Sequence, residues 1–125
     1  ELIGENGYSS VSAVVGATYP KQLEEITKVA PHTYFLIPGY GAQGGKASDI
    51  ALGFDKQGLG GIVNASRSLM CAYNSEMWKN QFEEKDYAKA TRAEAIRMRE
   101  ELKIAIGSGL PSVPGLFGNK FLNEK

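Results

Sequence analysis

Thr33-Tyr34-Phe35-Leu36-Ile37-Pro38-Gly39-Tyr40-Gly41-Ala42-Gln43-Gly44-Gly45 reads as a buried strand that runs straight into a glycine-rich loop. Its first five residues are β-branched, aromatic or aliphatic and carry no charge, the pattern of a strand covered on both faces. Pro38-Gly39 closes it, since proline cannot donate to a ladder and glycine admits a sharp turn. The same organisation repeats on either side. Upstream, Val11, Ala13 and Val15 lie in an apolar run interrupted by Ser12 and ended by Gly16-Ala17-Thr18, which predicts a buried strand of about five residues. Downstream, Gly58-Leu59-Gly60-Gly61 turns into Ile62-Val63-Asn64-Ala65-Ser66, a third strand.

Helical patterns follow each strand. Thr18 is the expected cap and Pro20 the first-turn residue of a helix with Leu23, Ile26, Thr27 and Ala30 on one face and Glu24, Glu25 and Lys28 on the other, stopped by Pro31. Ser48 or Asp49 opens a short helix through Ile50, Ala51, Leu52 and Phe54. The longest pattern runs from Asp86 to Ile106, where Tyr87, Thr91, Ala95, Met98, Leu102 and Ala105 step by three or four residues. Its charged face, Arg92, Arg97, Arg99, Glu100, Glu101 and Lys103, is expected to be solvated helix surface. Gly107 ends the helix, and Pro111 and Pro114 keep the tail from extending it.

Strands joined by helices predict a parallel sheet with right-handed crossovers. Three strand-helix units cannot close a barrel, and a (β/α)8 barrel of about 250 residues is twice the length of this 125-residue chain. The expected fold is therefore α/β: part of a TIM barrel, with residues 1–125 forming half of a single domain that is incomplete alone. An open three-stranded sheet would leave its edges and one face bare, so a partner completing it is expected.

Composition narrows the function. A 42% hydrophobic and 22% charged chain is globular in character, not disordered. Fourteen basic and 14 acidic side chains cancel, which leaves no field to attract nucleic acid or an anionic membrane. Any anion must be gripped locally. Cys71 is the only cysteine, which excludes an internal disulfide and a multi-cysteine metal site and fits a reducing cytoplasm. No apolar run approaches the roughly 20 residues of a membrane span. Glu1 opens the chain with neither an initiator Met nor a leader-like segment, so a piece of a longer polypeptide is expected.

The glycine loop admits two ligand readings. Gly39 to Gly44 satisfies G-x-G-x-x-G between a strand and a helix, the dinucleotide pattern. That reading also wants an acid at the end of the next strand, where Asn64, Ala65 and Ser66 stand instead, and Pro38 fits the turn poorly. Alternatively, glycines without Cβ atoms let backbone amides approach an anion, Gln43 adds a neutral donor, and Arg67 beyond the third strand brings a planar fork suited to phosphate. Against these stand plainer readings: a tight connection for the glycines and a surface ion pair for Arg67. Lys46, Asp49, Asp55 and His32 read as a lysine of the helix that follows the glycine loop, a helix-start acid, a helix-end surface residue and a solvated turn histidine. Met70, Cys71 and Tyr73 are expected to pack inward, and Ser66 has no base in its motif, so a hydrolase triad has no support.

Val14-Val15-Gly16-Ala17-Thr18-Tyr19-Pro20, Leu36-Ile37-Pro38-Gly39-Tyr40-Gly41-Ala42-Gln43-Gly44-Gly45 and Ile62-Val63-Asn64-Ala65-Ser66-Arg67 together resemble orotidine 5'-phosphate decarboxylases, more narrowly their longer bacterial class. The resemblance implies that the three strands are the sixth to eighth of a TIM barrel. It implies that Gln43, Gly44, Gly45 and Arg67 bind the substrate phosphate and that Thr18, Pro38, Gly39 and Gly41 line the pocket. Members of the family convert orotidine 5'-monophosphate to UMP in de novo pyrimidine biosynthesis, with no metal or cofactor. Their Lys-Asp network follows the second and third strands, so no catalytic residue is expected in this chain, and alone it should be inactive. The implied partners are the N-terminal half of the same barrel and a second copy of the whole, in the cytoplasm. Two other readings stay open, a non-catalytic nucleotide- or phosphate-binding module and a dehydrogenase subdomain.

Overall fold

The structure, a computed structural model, describes residues 3–107. Three strands, β1 (Ser12–Val14), β2 (Tyr34–Pro38) and β3 (Gly61–Asn64), form a parallel sheet in the order β1-β2-β3. A helix follows each of them: α1 (Pro20–Val29), α2 (Ala47–Ile50), which tightens into a 3-10 turn over Ala51–Gly53, and α3 (Ser66–Met70). The long α4 (Tyr87–Ile106) comes last, after 3-10 turns at Ala72–Asn74 and Glu84–Asp86.

Register divides the sheet into two unlike faces. Val14 pairs with Leu36, and Leu36 with Ile62, so the three side chains form one row. That row is open, at 67%, 37% and 60% exposure. The alternate residues Phe35 and Ile37 are buried on the opposite face, beneath the helices. The expectation of strands covered on both faces is thus corrected, because the helices shield only one side and nothing in the described residues crosses the other. The open row is therefore an exposed strip of three apolar side chains.

The core fills the space between the covered face and the helices. Leu23 of α1, Ile37 of β2 and Ile50 of α2 are its fully buried anchors, each worth about 1.5–3 kcal/mol on burial. Gly53 lets the turn after α2 settle onto the sheet, since a Cβ there would lie 2.6 Å from Ile37 Cδ1. Ahead of the sheet, the Tyr8 ring meets Tyr34 edge-on at 5.1 Å and its hydroxyl donates to Asp55 at 2.7 Å. Asp55 also accepts the Gln57 and Leu59 amides at 2.8 and 2.9 Å. It organises the turn into β3 and is not the bare surface residue expected.

Several boundaries differ from the sequence reading. Tyr19, not Thr18, precedes α1 and makes no side-chain capping bond, so Pro20 alone marks the start. Lys46 precedes α2, which places Asp49 in the first turn as expected, while Phe54 is extended beyond the helix. Ser66 already belongs to α3, so β3 is shorter than expected. Met70 and Cys71 are exposed where inward packing was expected, because α3 is a single short turn whose far side faces outward. α4 ends at Gly107, whose φ of +107° favours glycine. Pro111 and Pro114 lie outside the described residues.

The inward stripe of α4 holds as expected at Met98, Leu102 and Ala105, which meet the core, but is rotated over the first turns. Ala90, Glu94 and Met98 are buried, while Tyr87 and Ala95 are exposed. Small Ala90 allows close approach where α4 crosses α3 and the Ala72 turn, and Thr91 donates to the Leu69 carbonyl at 2.7 Å.

Candidate functional site

The C-terminal ends of β2 and β3 open onto a cleft of about 110 Å³. Pro38, Gly39, Tyr40, Ala42 and Gln43 line it from the glycine loop. Asn64, Ala65, Ser66, Arg67 and Ser68 line it from β3 and α3. Parallel strands bring these two segments side by side, which is why residues far apart in sequence share one mouth. The exposed Arg67 makes no salt bridge among the described residues.

The loop folds on its own glycines. Gly39, Gly41 and Gly44 have φ of +101°, +76° and +91°, values closed to most residues. Gly41 donates to the Gly45 carbonyl at 3.2 Å, Gly44 to Gly41 at 2.8 Å and Gly45 to Gly39 at 3.2 Å. The amides of Gly44 and Gly45, expected to grip an anion, therefore hold the loop in shape, and neither residue lines the cleft. Gly41 and the exposed Thr18 are likewise absent from its lining, whereas Gln43, Arg67, Pro38 and Gly39 are brought together. Gly39 makes room for Gln43, whose Oε1 would lie 2.9 Å from a Cβ at that position.

Gly45 carries the closest approach. A Cβ there would meet Ala17 Cβ at 2.6 Å and the Gly39 carbonyl at 2.8 Å, between two backbones that have little freedom to part. Gly45→Ala is expected to destabilise the protein by about 1–3 kcal/mol, as overpacking does. Urea unfolding monitored by tryptophan fluorescence measures this, and an unchanged midpoint would refute it.

A partly buried polar chain links the loop to α4, and the sequence reading missed it. Tyr40, buried in the core, donates its hydroxyl to Glu101. Burial, then that carboxylate acceptor, pushes the phenol well above its ordinary value. Arg97 donates to Glu101 at 2.9 Å and meets Glu94 with two bonds of 2.8 Å. The Trp78 indole donates to Glu94 at 2.7 Å. Burial works against ionisation of Glu94, but the hydrogen bonds from Arg97 and Trp78 outweigh it and hold its carboxyl below the usual range. Spacing of three and four between Glu94, Arg97 and Glu101 was visible in the sequence. That Glu94 turns inward was not, while Arg99, Glu100 and Glu101 stay exposed as expected.

None of the strand ends on the cleft carries a lysine or a carboxylate. The described residues hold no group of three His, Cys, Asp or Glu side chains able to bind a metal ion, and none of their helices is long and apolar enough to cross a membrane. What the arrangement offers is a forked cation and an amide side chain at the mouth of a parallel sheet.

Comparison with known proteins gives a likeness to decarboxylases. A Clostridium tetani orotidine 5'-phosphate decarboxylase is 47% identical over 108 residues, covering 86% of this chain and 35% of the relative. The chain matches part of an orotidine 5'-phosphate decarboxylase. A second such decarboxylase, from Rhodopirellula baltica, is 46% identical over 98 residues, 78% of this chain and 32% of the relative. The chain spans about a third of the length of the curated decarboxylases it matches. Among solved structures, Leishmania donovani UMP synthase superposes with a TM-score of 0.54 at 32% identity, over 77% of this chain and 18% of that protein. No protein-family model matches the chain. The decarboxylase likeness agrees with the three motifs that pointed to it and with the parallel α/β architecture.

Proposed function

We propose that this chain is the phosphate-holding part of an orotidine 5'-phosphate decarboxylase, working in UMP formation in the cytoplasm. The observation that carries the reading is that Arg67, free of carboxylate partners among the described residues, shares one cleft with Gln43. Arg67 meets two phosphate oxygens with its fork, and Gln43 adds a neutral donor. The phosphate is remote from the bond that breaks, so its binding energy serves to seat the pyrimidine and to order the loop. Loss of carbon dioxide leaves an electron pair on the ring carbon, which a proton donor within hydrogen-bond reach must then quench. The cleft presents no lysine or carboxyl group for that step, so that chemistry is assigned to other segments of the complete protein.

The open row of Val14, Leu36 and Ile62 supports the same division. Those segments close the sheet into a (β/α)8 barrel, with β1 to β3 as its sixth to eighth strands and this row facing the barrel interior. The substrate is orotidine 5'-monophosphate, no metal or cofactor takes part, and complete barrels pair as homodimers.

Grafting tests this directly. In the Clostridium tetani decarboxylase, the matched third is replaced by this chain, and conversion of orotidine 5'-monophosphate to UMP is followed. The chimera is expected to turn over substrate and the isolated chain is not. A folded chimera without turnover would overturn the reading, as would NADH binding by the chain, which favours a dehydrogenase subdomain.

A further inference from the structure

We propose that Ser68 is a positioning residue for the phosphate group, clamping the glycine loop to α3 so that Gln43 and Arg67 keep a fixed separation; this rests on the function proposed for the cleft. The Ala42 amide donates to Ser68 Oγ at 3.0 Å. Ala42 directly precedes Gln43 and Ser68 directly follows Arg67, so one hydrogen bond joins the backbone segments that carry the two anion-facing side chains.

Gly41 is fitted to this bond. A Cβ at that position would lie 2.8 Å from Ser68 Oγ, so the missing side chain is what admits the hydroxyl. The hydrogen bonds of Gly41, Gly44 and Gly45, by contrast, all stay inside the loop and fix its own shape without fixing where it sits over α3. Gln43 and Arg67 are long, exposed side chains. Two such groups converge on one anion at lower entropic cost when their backbones are already held together.

The test uses the chimeric decarboxylase, with UMP and uridine measured as competitive inhibitors of the reaction. The ratio of their inhibition constants reports the phosphate's contribution alone. Ser68→Ala is expected to lower the preference for UMP over uridine about tenfold, the scale of one hydrogen bond. Ser68→Thr, which keeps the hydroxyl, stays within about threefold of the parent. A merely structural role would weaken UMP and uridine alike, and that result overturns the proposal, as does an unchanged preference or a threonine variant no better than alanine. Arg67→Ala separates the two layers. If it abolishes the preference while Ser68→Ala leaves it intact, only the clamp is wrong; if neither variant moves it, the phosphate cleft itself is wrong.

Discussion

Replacing Arg67 with alanine in the assembled decarboxylase is expected to lower kcat/KM for orotidine 5'-monophosphate by a factor on the order of 30 to several thousand, which corresponds to roughly 2–5 kcal/mol for a truncated charge-assisted contact. The guanidinium is exposed and has no carboxylate partner in the described structure, so its removal disturbs little in the free protein. The loss falls on the complex. Arg67→Lys restores only part of it, because an ammonium keeps the charge but not the planar pair of donors. Gln43→Ala has a smaller effect, about 3- to 10-fold, the scale of one neutral hydrogen bond. Steady-state kinetics on the chimera checks all three, and an Arg67→Ala enzyme with parental kcat/KM would remove the cleft from the mechanism.

Glu94→Ala is expected to cost about 2–4 kcal/mol of folding stability, near the range for breaking a buried ion pair and discounted because the Arg97 side chain is 31% exposed. The variant strands two donors at once, the Arg97 fork and the Trp78 indole. Arg97 keeps its bond to Glu101 and can turn its freed donors to water. The indole has fewer choices.

The same residue makes stability depend on pH. Its folded carboxyl ionises below the ordinary value, so the folded state binds fewer protons than the unfolded chain in that range. Stability from Glu94 is therefore complete above about pH 4.5, the usual carboxylate region, and is lost as pH falls through the lowered folded value. Glu94→Gln keeps the shape without the charge and is expected to flatten this acid limb. Urea unfolding midpoints taken from neutral pH to about pH 3 make the comparison. A Glu94→Gln variant as acid-sensitive as the parent would show that other carboxylates govern the limb.

Much of the architecture was legible because its signals are local. Uncharged runs rich in β-branched or aromatic residues marked β1 to β3, the first two closed by glycine and the third entered through it, and Pro20 and Gly107 bounded α1 and α4. Parallel pairing follows from helices intervening between strands, a constraint of connection length that needs no coordinates, whereas the sequential order was implied only by the resemblance to the decarboxylases. Gln43 and Arg67 could be singled out because few side chains suit a local anion and both stand just past strand ends.

What composition and spacing left undetermined depends on partners distant in the chain. An apolar run looks alike whether one face or two are covered, and only the placement of the helices showed that Phe35 and Ile37 are sealed while Val14 and Ile62 are open. Glu94 and Arg97 carry the signature of solvated helix surface, yet the rotation of α4 over α3 buries Glu94 against Trp78. Glycines suggest free amides, but whether those amides face an anion or the loop's own carbonyls is decided by the closed turn that Gly39 to Gly45 adopts. A sequence determines which groups are present and which backbone shapes they permit; which donor finds which acceptor is decided by the packing that brings them within 3 Å of each other, as Ala42 and Ser68 are.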